Sequence, residues 1–92
     1  MTDDTTKTLM IVNEKGLHAR ASAKLAELVE EFDADAEISK DGMSVSGDSI
    51  MGLLMLGAAK GTTIEVSTSG HSASELAEAI EALVADKFGE GA

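Results

Sequence analysis

One histidine, His18, lies at the centre of the most unusual stretch of this sequence. From Lys15 to Lys24 the chain carries three basic residues and no acidic one, and Arg20 is the only arginine of the protein. The chain as a whole has a net charge of −10, so this basic stretch is a local exception. A basic island in an acidic protein predicts a small anion site with His18 in its middle.

The residue types around His18 suit a phosphoryl group. Imidazole has an unperturbed pKa of about 6.5, so near neutral pH much of it is an uncharged nucleophile. Arg20 can offer a fork of N–H donors to phosphate oxygens. His18 also stands where a turn leads into a predicted helix, whose first N–H groups are free to bind an anion. Because phosphoryl transfer needs little beyond positioning and electrostatic stabilisation, these groups could support it without a deep pocket.

Other roles for His18 must be weighed against this one. A histidine at the start of a helix is also compatible with a structural capping role, and the pattern alone leaves both interpretations open. A metal site is disfavoured, because the other histidine, His71, lies in a Gly-Ser turn and no carboxylate cluster flanks His18. The chain has no cysteine, which excludes a thiol nucleophile and a thiolate metal site. We therefore expect neither a metal ion nor another cofactor.

Length and charge restrict the function further. With 92 residues we expect a single domain, 1–92 with its core at about 8–88, and little room for an enclosing cleft. An acidic surface repels phosphate backbones, so nucleic acid is not an expected partner. The polar N-terminus lacks the apolar segment of a secretory signal. The longest apolar stretch, 50–59, is too short for a membrane span. We expect a cytoplasmic carrier or binding module.

Hydrophobic periodicity predicts the elements that must position His18. The pattern indicates strands at 8–13, 36–40, 43–46 and 62–69, and helices at 19–32, 50–56 and from 73 to about 88. Asp41-Gly42 predicts a two-residue hairpin, Ser49 a helix cap, and Ser72 to Glu75 a capping box. The order β-α-β-β-α-β-α predicts a two-layer α+β fold. We expect Met10, Phe32 and Phe88 in the core and a frayed tail at 89–92.

Three segments of the chain resemble one protein family. Residues 16–20 (Gly-Leu-His-Ala-Arg) resemble the phosphorylation-site motif of HPr, the histidine phosphocarrier of the bacterial phosphoenolpyruvate-dependent phosphotransferase system. Residues 49–56 resemble the regulatory-serine helix of that family, and 59–62 (Ala-Lys-Gly-Thr) match a third block before a predicted strand. The resemblance covers roughly 8–88, with the three blocks in the right order and spacing.

The resemblance implies a phosphocarrier that is a covalent intermediate rather than an enzyme. His18 would accept a phosphoryl group on Nδ1 from phosphorylated enzyme I, ultimately from phosphoenolpyruvate, and pass it to a IIA-type acceptor. Arg20 would help to hold that group. The fold implied is an open-faced β-sandwich in which helices cover one face of a four-stranded antiparallel sheet of order 1-4-2-3. A monomer is expected.

The resemblance also implies a regulatory site and a docking surface. Ser49 matches the serine that a dedicated HPr serine kinase phosphorylates in some bacteria. Leu53 and Leu56 are expected in the core, on the other side of the same short helix from the contact residues. The residues expected to bind partners are Ile50, Met51, Leu54, Ala19 and Lys24.

Two features depart from the family pattern. Ala21 stands where the motif usually has proline, which suits the first turn of a helix. Because alanine is the best helix former, we expect the helix and the phosphoryl chemistry to persist with a less rigid turn. The first helix is acidic at Glu27, Glu30 and Glu31, unlike the more basic surface common in sugar-type members. This difference indicates a dedicated partner in a nitrogen-related or regulatory branch.

Two further functions compete with the phosphocarrier. Residues 47–50 (Gly-Asp-Ser-Ile) resemble the phosphopantetheine attachment site of acyl carrier proteins, which are also small and acidic, with Ser49 as the modified residue. Those proteins are all-helical, so the predicted strands argue against this alternative. An α+β interaction domain without chemistry would leave the segment 16–20 unexplained.

Overall fold

The computed structural model describes residues 4–92 and contains four strands and three α-helices in that range. A short 3₁₀ turn, Lys87–Gly89, follows the last helix. The elements are β1 (Thr5–Met10), α1 (Ala19–Glu30), β2 (Asp35–Lys40), β3 (Met43–Ser46), α2 (Ile50–Met55), β4 (Thr63–Ser69) and α3 (Ala73–Ala85). Their order confirms the sequence prediction β-α-β-β-α-β-α.

The four strands form one antiparallel sheet with the order β1-β4-β2-β3. In β4, Val66 lies opposite Lys7 of β1 on one side and Ile38 of β2 on the other. β2 and β3 form a hairpin in which Ile38 faces Val45. The expected sheet order 1-4-2-3 is therefore confirmed.

One face of this sheet is buried and the other is open to solvent. Along β4, Ile64, Val66 and Thr68 are buried, while the residues between them are exposed. This alternation follows from the two-residue period of a strand. The helices pack on the buried face, which confirms the open-faced sandwich. The hydroxyl of Thr68 donates to the carbonyl of Ala73 at 2.7 Å, so the buried polar group is satisfied.

The hairpin between β2 and β3 turns at Asp41-Gly42, as predicted. Both residues have a left-handed backbone, with φ of 51° at Asp41 and 83° at Gly42. A two-residue turn with positive φ at both positions matches the right-handed twist of the flanking strands. Aspartate and glycine are residues that tolerate this conformation.

The first strand differs from its prediction at both ends. β1 begins at Thr5 and ends at Met10, because its pairing follows β4, from Thr5 opposite Thr68 to Met10 opposite Thr63. Met10 was expected in the core and is instead 54% exposed. Leu9 points into the core, so its neighbour must point to the open face. The assignment of Met10 to the core was therefore wrong.

The helix boundaries also differ from prediction. α1 ends at Glu30, and Phe32 beyond it is only partly buried against the core. α3 ends at Ala85, and Phe88 is fully buried as expected but has a left-handed φ of 53°. Ser72 forms no side-chain capping hydrogen bond, so the capping-box prediction was wrong. Between residues 4 and 92 no helix combines the length and apolarity needed to span a bilayer.

Candidate functional site

His18 is the N-cap residue of α1, as the sequence predicted. Its carbonyl accepts the first helical hydrogen bond, from the N–H of Ser22 at 2.8 Å. Its own side chain forms no capping hydrogen bond, so the interpretation of His18 as a structural cap is wrong. The first N–H groups of a helix have no partners within it. Because the imidazole forms no capping bond, it is free for other contacts. It lies beside the positive end of the helix dipole.

The turn before His18 depends on a glycine. Gly16 has a φ of +64°, and a Cβ atom there would lie 2.4 Å from the carbonyl oxygen of Ala58. The N–H of Leu17 donates to that same carbonyl at 2.9 Å. Leu17 is buried, whereas His18 is half-buried. The close contact with the 58–59 backbone fixes the position from which α1 starts.

The imidazole of His18 contacts a carboxylate from the other end of the chain. His18 Nε2 forms a hydrogen bond with Glu90 Oε2. The other oxygen, Glu90 Oε1, accepts from Asn13 Nδ2 at 2.9 Å. Asn13 Nδ2 also donates to the carbonyl of Gly16 at 2.8 Å. Glu90 thus connects Asn13 and His18 in one series of hydrogen bonds.

These contacts change the acidity of the carboxylate. The pKa of Glu90 is lowered from its usual value of 4.5, chiefly by the hydrogen bond with His18 and then by that with Asn13. Partial burial opposes this shift, while the charges of His18 and Lys15 add to it. Near neutral pH Glu90 is therefore ionised, and its two contacting oxygens are hydrogen-bond acceptors.

His18 opens onto a shallow depression of about 650 Å³. Arg20 at its edge is exposed and forms no side-chain hydrogen bond or ion pair with any residue of the segment 4–92. Lys24, which was expected to contact partners, also lines the depression, and its Nζ donates to the carbonyl of Phe88 at 2.6 Å. The depression is lined by Glu14, Lys15, His18, Ala19, Arg20, Lys24, Gly89, Glu90 and Ala92.

The tail of the chain was expected to be frayed, and this expectation was wrong. Phe88 is fully buried and Glu90 contacts His18. The carbonyl of Ala92 accepts from the N–H of Glu14 at 3.2 Å. Sequence reasoning missed Glu90 because a Gly-Glu-Gly segment has no periodicity to exploit. It missed Asn13 because that residue was placed inside a strand.

The second predicted site lies on α2. Ser49 is the N-cap, and its Oγ accepts from the N–H of Gly52 at 3.0 Å, as expected. Leu53 and Leu56 are buried, which confirms their assignment to the core. The expected contact residues are exposed, with fractions of 42% at Ile50, 70% at Met51 and 37% at Leu54. Met55, which was not predicted as a contact residue, is also exposed, at 68%.

The other histidine lies apart from this site. His71 is exposed and follows Ser69 at the end of β4 that pairs with the start of β1. His18 follows the opposite end of β1, so the two histidines are at opposite ends of the sheet, as predicted. No group of three or more His, Cys, Asp or Glu side chains within 4–92 is arranged to hold a metal ion. The four-stranded sheet argues against an all-helical acyl carrier.

Comparisons with known proteins identify the family. Residues 5–86 match the family model described as the PTS HPr component phosphorylation site. The chain is 46% identical over 81 residues to phosphocarrier protein HPr of Cupriavidus necator, covering 88% of this chain and 91% of that one. It is 40% identical over 85 residues to phosphocarrier protein NPr of Escherichia coli, covering 91% and 94%. The chain is therefore similar both to relatives named HPr and to relatives named NPr.

A solved structure agrees with this assignment. The crystal structure of HPr-C-His from Thermoanaerobacter tengcongensis superimposes with a TM-score of 0.89 at 34% sequence identity. The superposition covers 94% of this chain and 97% of that one. Family match, relatives and fold agree with the resemblance found in segments 16–20, 49–56 and 59–62: the chain belongs to the HPr family of phosphocarrier proteins of the phosphotransferase system.

Proposed function

We propose that His18 accepts a phosphoryl group from phosphorylated enzyme I and passes it to a IIA-type acceptor. In this role the protein is a covalent intermediate, and the catalysis belongs to its partners. The observation that carries the proposal is the position of His18, at the N-terminus of α1 in an open depression within the segment that matches the family model. An open site suits a group that must meet two different proteins in turn.

The surroundings of His18 support an anionic ligand. The first-turn N–H groups of α1 and the helix dipole favour negative charge. The guanidinium of Arg20 is exposed and available to bind phosphoryl oxygens in a bidentate manner. The ammonium group of Lys15 lines the same depression. Together these groups can stabilise the charge of the transferred phosphoryl group without an enclosed pocket.

Phosphorylation by enzyme I tests the assignment. The full chain is incubated with enzyme I and phosphoenolpyruvate, and the product is analysed by mass spectrometry before and after mild acid treatment. We expect the mass of one phosphoryl group, lost in acid, and no increment for His18→Ala. His71→Ala is the matched control and should be phosphorylated like the wild type. Phosphorylation of His18→Ala would show that the site has been assigned to the wrong residue.

We further propose that the exposed face of α2 docks the partner proteins in the cytoplasm. Ile50, Met51 and Leu54 form an apolar patch next to Ser49, and such a patch is a common feature of protein interfaces. Ala19 and Lys24 line the depression around His18 and would contact the same partners. Phosphorylation of Ser49 by a serine kinase would add a charge of about −2 beside this patch. The modified protein would then bind its partners more weakly.

A further inference from the structure

We propose that Glu90 is a positioning residue for His18, because its carboxylate accepts a hydrogen bond from Nε2–H and thereby leaves Nδ1 as the attacking atom. The inference rests on the proposed role of His18 as phosphoacceptor. It assigns a task to the C-terminal segment, which sequence reasoning had treated as frayed. It also gives a physical reason why one ring nitrogen would react and the other would not.

The contact between Glu90 and His18 fixes the location of a proton. Glu90 is ionised near neutral pH because its pKa is lowered, so its carboxylate can only accept hydrogen bonds. The proton in the hydrogen bond must therefore reside on His18 Nε2. A neutral imidazole carries one N–H proton, so Nδ1 then has a free lone pair. No residue of the described segment forms a hydrogen bond with Nδ1.

Asn13 holds the carboxylate in place. Its amide nitrogen uses both protons, one for the Gly16 carbonyl and one for Glu90 Oε1. The reversed amide would put an oxygen against two other oxygens, so this orientation is the only one with favourable contacts. Asn13 is fully buried, and its Oδ1 atom has no hydrogen-bond partner among the described residues. Burial and the two bonds that it donates restrict the amide of Asn13, so it presents a fixed N–H donor to Glu90.

The tail is also anchored on the other side of Glu90. Phe88 is fully buried in the core, and its carbonyl accepts a hydrogen bond from Lys24 Nζ at 2.6 Å. These two contacts hold the backbone at Phe88, which is two residues before Glu90, and so limit how far the backbone of Glu90 can move. A side chain held by its own backbone and by Asn13 can orient the imidazole at little further cost in conformational entropy.

The transfer step balances with this arrangement. The lone pair of His18 Nδ1 forms the N–P bond while the bond between phosphorus and the donor atom breaks, and the donor keeps that electron pair. The proton stays on Nε2, so the phosphorylated ring is cationic and no proton has to enter or leave. The carboxylate of Glu90 faces this new positive charge and stabilises it. Transfer to the acceptor is the reverse process.

The tautomer can be measured without any phosphoryl donor. We would label the full chain with ¹⁵N-histidine and record the chemical shifts of the ring nitrogens by NMR. The pH would be set above the range in which imidazole ordinarily titrates, so that the neutral ring is observed. Wild-type His18 should show a protonated Nε2, an unprotonated Nδ1 and a slowly exchanging Nε2–H proton. In Glu90→Ala this proton should exchange rapidly and the Nδ1–H form should become detectable. Glu78→Ala, which removes an exposed carboxylate on α3 away from the depression, should keep the wild-type signature.

Two NMR results would overturn the proposal. One is a wild-type spectrum with the proton on Nδ1, and the other is a Glu90→Ala spectrum identical to that of the wild type. Thermal unfolding of each variant checks that the fold is intact. We expect Glu90→Ala to fold, because the anchors at Phe88 and Lys24 remain.

A kinetic measurement at the same pH tests the consequence for transfer. With phosphorylated enzyme I as donor, Glu90→Ala should lower the maximal transfer rate about tenfold, the value of one charge-assisted hydrogen bond, and leave the half-saturating concentration unchanged. An unchanged maximal rate would refute the positioning role. If His18→Ala were still phosphorylated, the proposed function would fail instead, while the NMR assignment of the proton would stand.

Discussion

The glycine before His18 offers the sharpest test of how the site is built. In Gly16→Ala the backbone keeps a φ of +64°, which costs an alanine about 1–2 kcal/mol. The new Cβ would also lie 2.4 Å from the Ala58 carbonyl oxygen and 2.9 Å from Ala59 Cα. These are backbone atoms that cannot rotate away, so overpacking adds about 1–3 kcal/mol. We therefore expect a loss of about 2–5 kcal/mol in the free energy of unfolding.

Gly57→Ala is a matched control for the backbone term. Gly57 has a φ of +61°, but a Cβ there meets nothing within 4 Å. It should lose only the conformational part, so Gly16→Ala should be less stable than Gly57→Ala by about 1–3 kcal/mol.

Urea denaturation followed by circular dichroism measures both values, since the chain has no tryptophan or tyrosine for fluorescence. Gly16→Ala should also transfer phosphoryl groups more slowly, because the start of α1 must shift. If Gly16→Ala were no less stable than Gly57→Ala, the close contact at Ala58 would not be what fixes this turn.

Three other predictions concern the chemistry and its control. Arg20→Ala should slow transfer from phosphorylated enzyme I by one to two decades, with partial recovery in Arg20→Lys; an unchanged rate would mean that Arg20 does not touch the phosphoryl group. Ser49→Asp should bind enzyme I more weakly than Ser49→Ala in calorimetry while keeping its melting temperature, because aspartate is also a good cap; equal binding would reduce Ser49 to a cap. Because the pKa of Glu90 is lowered, its contacts contribute full stability above the ordinary carboxyl pKa of 4.5 and lose it as the pH falls through the lowered value. NMR titration of the Glu90 carboxyl should show a midpoint below 4.5, and a midpoint at the ordinary value would contradict these contacts.

Much of the fold could be predicted because its signals are local. The Asp41-Gly42 turn, the Ser49 cap and the alternation along β4 each follow from a few neighbouring residues. Met10 could not be placed in the same way. Its exposure depends on the register with β4, which is a long-range pairing that sequence periodicity does not encode.

The same difference between local and long-range signals applies to the residues of the site. His18 and Arg20 lie on either side of Ala19, the first residue of α1, so local charge and spacing were enough to find them. Glu90 lies 72 residues from His18 along the chain, and the tertiary packing of the C-terminal segment around the buried Phe88 brings it there. A single carboxylate between two glycines has no local pattern that distinguishes it from the other acidic residues of this chain.

The strand order has a consequence for how the protein folds. The β2–β3 hairpin needs only the two-residue turn at Asp41-Gly42, whereas pairing of β1 with β4 joins Thr5 to Thr68 and closes most of the chain into a loop. Closing a long loop is slow because its entropy is lost before its contacts form. We expect the hairpin to form early and β1 to join last.

The loop that carries His18 follows directly from β1, so it should acquire its native shape only at the end of folding. Mutations at Leu9 should therefore accelerate unfolding and leave the folding rate nearly unchanged, whereas mutations at Ile38 should slow folding. Stopped-flow kinetics can distinguish these patterns, and slower folding of a Leu9 variant would place β1 in the folding nucleus instead. If His18 is the phosphoacceptor as proposed, a chain in which β1 has not yet joined the sheet would lack the native site and would accept a phosphoryl group only once its fold is complete.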